Sequence, residues 1–387
     1  MVMVMMLSPQ PVGVSSAAAQ TESDISPIQI QSDIPSVYQT LGDYFPVGAA
    51  IWPGDLSGPH AELLVKHFNS IVAENAMKMA YLGPTEGVFD FKVADTLVDF
   101  AKAHHMLIRG TALVWHQANP PWLFKDAGGN DLQPGPESKA LLLRRLKTYI
   151  RTVVSHYKHD VYAWDVVNEV MDPEQQDGFR RSPWFEVTGT DYIDTAFRTA
   201  REAAPHAKLF VNDYGTTDLT KRMFLYNLVK ELKARGVPID GVGHQMHINI
   251  RQPSSEAITD TIRMFSALGI DNQITELDVS VYDNPKDSCE AISRDALIEQ
   301  GYRYRDLFQT FRDLKGELSG VTFWGLADDH TWLKKFPIAR LDLPLLFDEH
   351  LHTKPAYWGI ADPTQLPARP VSPQSAAEPA TPPCSTP

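Results

Sequence analysis

Cysteine is nearly absent: Cys289 and Cys384 are the only two among 387 residues. Two thiols exclude a disulfide framework and a multi-cysteine zinc site. Cys384 stands in a Pro-rich stretch, so no structural bridge between the two is expected. No run of eighteen apolar residues occurs, so no membrane-spanning helix is expected. Positive charge is scarce as well, with 35 basic against 48 acidic residues and a net charge of −13. That balance argues against nucleic acid or an anionic membrane surface as a partner, and it fits a neutral ligand. Also missing are a Gly-x-Ser-x-Gly elbow, a Walker loop, a dinucleotide glycine fingerprint and a His-Glu-x-x-His pair.

The composition is 43% hydrophobic and 21% charged, ordinary for a globular chain with a large core. The length allows two or three domains, but α/β barrels often run this long as one. Residues 1–35 are rich in Ser, Gln, Pro and Ala and read as a disordered leader. Within them Met1–Leu7 is apolar, and Ala17-Ala18-Ala19-Gln20 could be a cleavage site, but no Lys or Arg precedes the apolar run. Both a remnant export signal, with a secreted or periplasmic destination, and a plain leader stay open. Residues 363–387 are rich in Pro, Ser, Thr and Ala and read as a disordered tail.

The body, 36–362, carries eight short apolar runs: 47–51, 70–73, 107–114, 161–167, 208–212, 241–247, 273–279 and 320–323. Helical periodicity lies between them. Val93, Leu97, Phe100 and Ala101 share one face, as do Leu225, Leu228, Val229 and Leu232. Asp191–Ala204 and Ser293–Leu318 are further helical stretches. Strands alternating with helices predict a parallel sheet, and eight such units predict a closed (β/α)₈ TIM barrel.

A barrel of this kind holds its active site at the C-terminal ends of its strands. Polar residues cluster just there. Glu74, Asn75 and Lys78 follow the second run; Trp115 and His116 lie at the end of the third; Asn168 and Glu169 close the fourth. Gln245 and His247 end the sixth, Glu276 lies in the seventh, and Trp324 follows the eighth. Glu169 and Glu276 form the candidate catalytic pair. Two carboxyls across one gap can split a glycosidic bond, one as acid and base and the other as nucleophile. The acid must stay protonated near neutral pH, so a raised pKa is expected for it. Asn168 could bond a sugar 2-OH, and His247 could orient Glu276. His244 reads as a core histidine, because a strand turns positions three apart to opposite sides and so disfavours a shared metal. Trp115, Trp324 and Trp332 are candidate sugar platforms.

Together these segments resemble the glycoside hydrolase family 10 endo-β-1,4-xylanases over about Tyr38–Ile360. The motifs are Glu74-Asn75-Ala76-Met77-Lys78, Leu113-Val114-Trp115-His116, Trp164-Asp165-Val166-Val167-Asn168-Glu169, Phe210-Val211-Asn212-Asp213-Tyr214, Gly243-His244-Gln245-Met246-His247, Ile274-Thr275-Glu276-Leu277-Asp278, Thr322-Phe323-Trp324-Gly325 and Leu346-Phe347-Asp348. The resemblance implies a retaining barrel enzyme acting inside xylan or xylo-oligosaccharide chains, with Glu169 as acid/base and Glu276 as nucleophile. It implies sugar contacts on the glycone side from Asn75, Lys78, Trp115, Asn168, Gln245, His247, Trp324 and Trp332; Glu74 and His116 join them as candidate substrate contacts. It implies no metal and no organic cofactor, and a monomer is expected. Two departures stand out. Thr111 takes the place of a family histidine that contacts the sugar, and Gly215 follows Asn-Asp-Tyr where the family often has Asn. They leave open a sugar-binding barrel without turnover, and a retaining β-glucanase or mannanase on the same frame.

Overall fold

The structure, a computed structural model, describes residues 30–369 and Cys384. Nine strands are present: β1 (Val47–Ile51), β2 (Ser70–Ala73), β3 (Leu107–Gly110), β4 (Val161–Asn168), β5 (Lys208–Asp213), β6 (Gly241–His244), β7 (His247–Asn249), β8 (Asp271–Ser280) and β9 (Val321–Phe323). Eight of them close a ring in which every pairing is parallel. It runs β1 to β6 in order, then β8 and β9, and β9 returns to β1. The short β7 continues the chain past β6 and pairs with β8 alone among the described strands. This is the (β/α)₈ barrel that the alternating pattern predicts.

Parallel neighbours need crossovers, and helices supply them. The helix Leu219–Ala234 shows how local sequence sets one up. Asp218 caps its start by accepting from the Lys221 N–H at 2.9 Å. Leu225, Leu228, Val229 and Leu232 form its buried face, as their spacing predicts. Gly236, with φ of 64°, turns the chain away after its end. In the helix Lys92–Ala103 the buried set is instead Ala94, Leu97, Val98 and Ala101. Val93, expected on that face, is 52% exposed. Packing has rotated the helix so that small and branched residues meet the sheet. The helix expected over Ser293–Leu318 spans Arg294–Asp313.

The barrel interior is filled with side chains, as close packing requires. One layer is polar. Arg109 donates Nε to Asp165 at 3.2 Å and Nη1 to Gln273 at 2.6 Å, while its guanidinium lies over the Phe210 ring. Two strands stop well short of the expected runs. β3 stops at Gly110 rather than Val114, although the Leu113 and Val114 N–H groups still bond β4 carbonyls at 2.9 and 3.0 Å. Gly110 lies flat against Trp164, where a Cβ would sit 2.2 Å from the indole. β6 stops at His244 because Met246 adopts φ of 64°, breaking the extended run before His247.

Three expectations about the chain ends need correction. Cys289 and Cys384 form a disulfide, with Cα atoms 5.2 Å apart. Composition argued against a fixed place for Cys384, but a covalent bond positions one residue whatever surrounds it. The bond joins a small cluster with Val281 and Tyr282, and Cys384 bridges the Ile292 backbone. The tail does not turn irregular at Pro363. Residues Pro363–Gln365 form a 3₁₀ turn, Tyr302 donates to the Pro367 carbonyl at 3.0 Å, and Arg369 pairs with Glu299 at 2.9 Å. Likewise, within the supposed leader, Gln31 accepts from the Thr353 hydroxyl at 3.1 Å and Pro35 from Tyr357. Residues 1–29, 370–383 and 385–387 lie outside the described residues. Replacing Cys384 by Ser should cost about 2–4 kcal/mol, because the bond closes a long loop in the unfolded chain. Calorimetry with and without reductant checks this: reductant should lower the Tm of the parent but not of the variant.

Candidate active site

At the C-terminal mouth of the barrel lies a cavity of about 690 Å³. Its wall contains all twelve residues singled out from the sequence: Glu74, Asn75, Lys78, Trp115, His116, Asn168, Glu169, Gln245, His247, Glu276, Trp324 and Trp332. They come from the ends of six barrel strands and the loops beyond. A second cavity of about 680 Å³ continues from it across Gly215, His247, Trp332 and Phe336. The whole is an open cleft able to hold a chain rather than a closed pocket for one small molecule.

Glu169 follows the last residue of β4 with φ of 55°, the left-handed region that costs a non-glycine residue strain. Two hydrogen bonds hold it there. Its N–H donates to the Asn212 carbonyl at 2.8 Å, and its own carbonyl accepts from Arg180 Nε at 2.7 Å. This turn lets adjacent Asn168 and Glu169 both face the cleft, which strand alternation alone would forbid. Glu169 Oε1 accepts from Gln245 Nε2 at 3.2 Å, and Oε2 lies 3.6 Å from His116 Nδ1.

Glu276 sits in β8, buried, with both oxygens engaged. Oε1 accepts from Asn212 Nδ2 at 2.7 Å, and Oε2 meets His247 Nε2 at 3.1 Å. Asn168 Oδ1 also accepts from Asn212 Nδ2, at 2.9 Å, and from Gln245 Nε2 at 3.1 Å. The orientation of Asn212 is fixed, because the Glu276 carboxylate only accepts and so claims Nδ2, which leaves Oδ1 for the Thr275 hydroxyl at 2.6 Å. A continuous amide network therefore links the two carboxyls.

The electrostatics hold the Glu276 carboxyl above the ordinary carboxylate range. Burial raises its pKa, and the negative Asp165 and Glu169 push the same way, while His247 opposes them. Burial also works to lower the His247 imidazole, but Asp278, bonded to Nδ1 at 2.8 Å, and Glu276 outweigh it and push it up to about 10. Trp332 Nε1 donates to the same Asp278 oxygen at 2.8 Å and locks that carboxylate. His247 thus stands as a cation between two carboxylates. Its folded pKa lies above the ordinary 6.5. The stabilisation it provides is complete below pH 6.5 and is lost as pH rises toward about 10. The Tm should fall across that window, and His247→Asn should flatten the fall; thermal melts at several pH values check it.

His244 is a buried core residue facing away from the cleft, bonded to Thr216 and Asn272 at 2.8 and 3.0 Å, and burial lowers its pKa to about 4. Among the described residues no His/Cys/Asp/Glu group is arranged to hold a metal ion. Lys78 donates to Asn75 at 2.9 Å and lies over the Trp115 ring at 4.8 Å. Thr111 and Ala112 form part of the wall. Sequence reasoning missed Arg180, Tyr214, Gln117 and Phe336, which also line the cavity. They sit on loops, where no periodicity marks them. Asn212 carried a signal, since it lies one residue before the end of β5 and pairs in register with Asn168, the last residue of β4.

Comparison with known proteins agrees with this architecture. Residues 36–363 match the family model described as glycosyl hydrolase family 10. A thermostable celloxylanase of Thermoclostridium stercorarium is 49% identical over 343 residues, covering 86% of this chain and 89% of that one. Endo-1,4-beta-xylanase A of Halalkalibacterium halodurans is 46% identical, covering 85% and 87%. The crystal structure of xylanase B from Clostridium stercorarium F9 superimposes with a TM-score of 0.83 at 49% identity, covering 85% of this chain and all of that one. The chain belongs to glycosyl hydrolase family 10, and it is a glycoside hydrolase.

Proposed function

We propose that this hydrolase is a retaining endo-1,4-β-xylanase, with Glu169 as acid/base and Glu276 as nucleophile. The observation that carries the reading is the amide network joining these two carboxyls on one open cleft, with His247 bonded to Glu276 Oε2. In the first step Glu276 attacks the anomeric carbon, the glycosidic C–O bond breaks, and Glu169 gives its proton to the departing 4-oxygen. In the second step Glu169 takes a proton from water, and the resulting hydroxide displaces Glu276, so the anomeric configuration is retained. Asn168 uses its Nδ2 for the sugar 2-OH. Glu74, Asn75, Lys78, Trp115, His116, Gln245, Trp324 and Trp332 hold the sugars. The names of the relatives support xylan as substrate. The disulfide supports work in an oxidising compartment, outside the cell or in a periplasm.

Thr111 and Ala112 give one part of the wall less bulk than histidine would. A second reading is activity on β-1,4-glucan, whose extra CH₂OH must be housed near Trp324 and Trp332 on the wall of the same cavity. Incubation with xylan and with mixed-linkage glucan, following reducing ends and the anomeric signal by NMR, tests both readings. Xylo-oligosaccharides should appear first as the β-anomer, faster than products from glucan. First appearance of the α-anomer would rule out double displacement, and no product would remove the hydrolytic reading.

A further inference from the structure

Beyond the cavity wall, at the end formed by the β1, β2 and β9 loops, stands an indole that the reading above does not use. Trp52 follows β1 directly and is 44% exposed. Its ring is stacked on His330, with centroids 4.9 Å apart and planes 15° apart. His330 Nε2 in turn meets Glu74 Oε2 at 2.9 Å, and Glu74 is part of the cleft wall. The indole is therefore two contacts away from the site.

Its position is built rather than incidental. The Trp52 N–H donates to Asp55 Oδ2 at 3.0 Å, and Asp55 is only 3% exposed. Pro53 fixes the start of the turn that brings Asp55 back. Gly54 lies under the edge of the indole, where a Cβ would come within 2.3 Å of the ring. A second pair, His60 with Asp329 at 2.7 Å, braces the loop that carries His330. All this holds in place an indole that keeps a substantial part of its surface in water. A large apolar face kept open and pre-oriented is suited to binding.

We propose that Trp52, backed by His330, is a main-chain sugar platform beyond the Glu74–Asn75–Lys78 end of the cleft. Its ligand is a neutral β-1,4-linked xylopyranosyl unit, whose apolar C–H face packs on the indole. Pyranose rings carry no charge, so the indole supplies contact area while Glu74 and His330 offer hydrogen bonds to ring hydroxyls. The proposal rests on the reading that the cleft takes xylan with its glycone end at Glu74.

The test compares two substrates in the full chain. Xylohexaose is long enough to reach Trp52, whereas an aryl β-xylobioside is not. In Trp52→Ala the ratio of kcat/KM on xylohexaose to that on the aryl xylobioside should fall roughly three- to tenfold, the range expected for one aromatic contact. End-labelled xylohexaose should be cut at a different bond. Trp52→Phe should recover part of the ratio. A purely structural role would lower both rates together and leave the ratio unchanged, which overturns the proposal. If the parent chain cleaves neither substrate, the hydrolase reading fails instead. Calorimetric titration with xylohexaose then decides on the platform: equal affinity in the parent and Trp52→Ala overturns it, and weaker binding in the variant supports it.

Discussion

Glu276→Ala should lower kcat on xylan by at least about 10⁴-fold, the scale seen when a covalent nucleophile is removed. The loss is that large because no other group can take over. Asn212 and His247 serve the Glu276 oxygens as donors, and neither presents a free nucleophile toward the anomeric carbon. The substitution leaves a small gap on the face of the sugar opposite Glu169. Azide, which needs no general base, should enter that gap and restore turnover of an aryl β-xylobioside, giving an α-xylobiosyl azide. Circular dichroism should show an unchanged fold, since Glu276 is a buried charge with like-charged neighbours Asp165 and Glu169. A variant retaining more than a tenth of parental kcat would remove Glu276 from the chemistry.

Glu169→Gln should cost about 10²–10⁴-fold on xylan, the usual contribution of a positioned general acid and base. The amide is isosteric and can keep the Gln245 contact by presenting its oxygen, so binding should change little. The loss should depend on the leaving group. A dinitrophenyl β-xylobioside departs without protonation, so its first step should remain fast. The second step still needs a base to activate water, so a glycosyl-enzyme should accumulate, seen as a burst of phenol and a lowered KM. An equal loss on both substrates, without a burst, would show that Glu169 acts on structure rather than on the proton.

The ring of strands was legible because each strand is a short apolar run between helical stretches, and barrel topology then places the run ends together. Twelve polar and aromatic residues at those ends do meet on one cavity. What stayed hidden depends on backbone geometry that residue type does not encode. The left-handed turn at Glu169 is set by hydrogen bonds from Arg180 and to Asn212, both distant in sequence. The break at Met246 likewise ends β6 early and delivers His247 to Glu276 by a route other than simple alternation. Arg180, Tyr214 and Phe336 reach the cleft from irregular loops. The Cys289–Cys384 bond was misread because composition describes a segment's average behaviour and says nothing about one crosslinked residue.

Closure of the barrel joins Val47 in β1 to Val321 in β9. No shorter piece of the chain can complete the ring. A nascent polypeptide therefore emerges with two bare sheet margins, and they stay unsatisfied until nearly all of it has been synthesised. Such margins invite pairing between copies. The cell must keep this chain away from its own kind until its final strand arrives, and production at high expression rates should yield inclusion bodies before it yields defective enzyme.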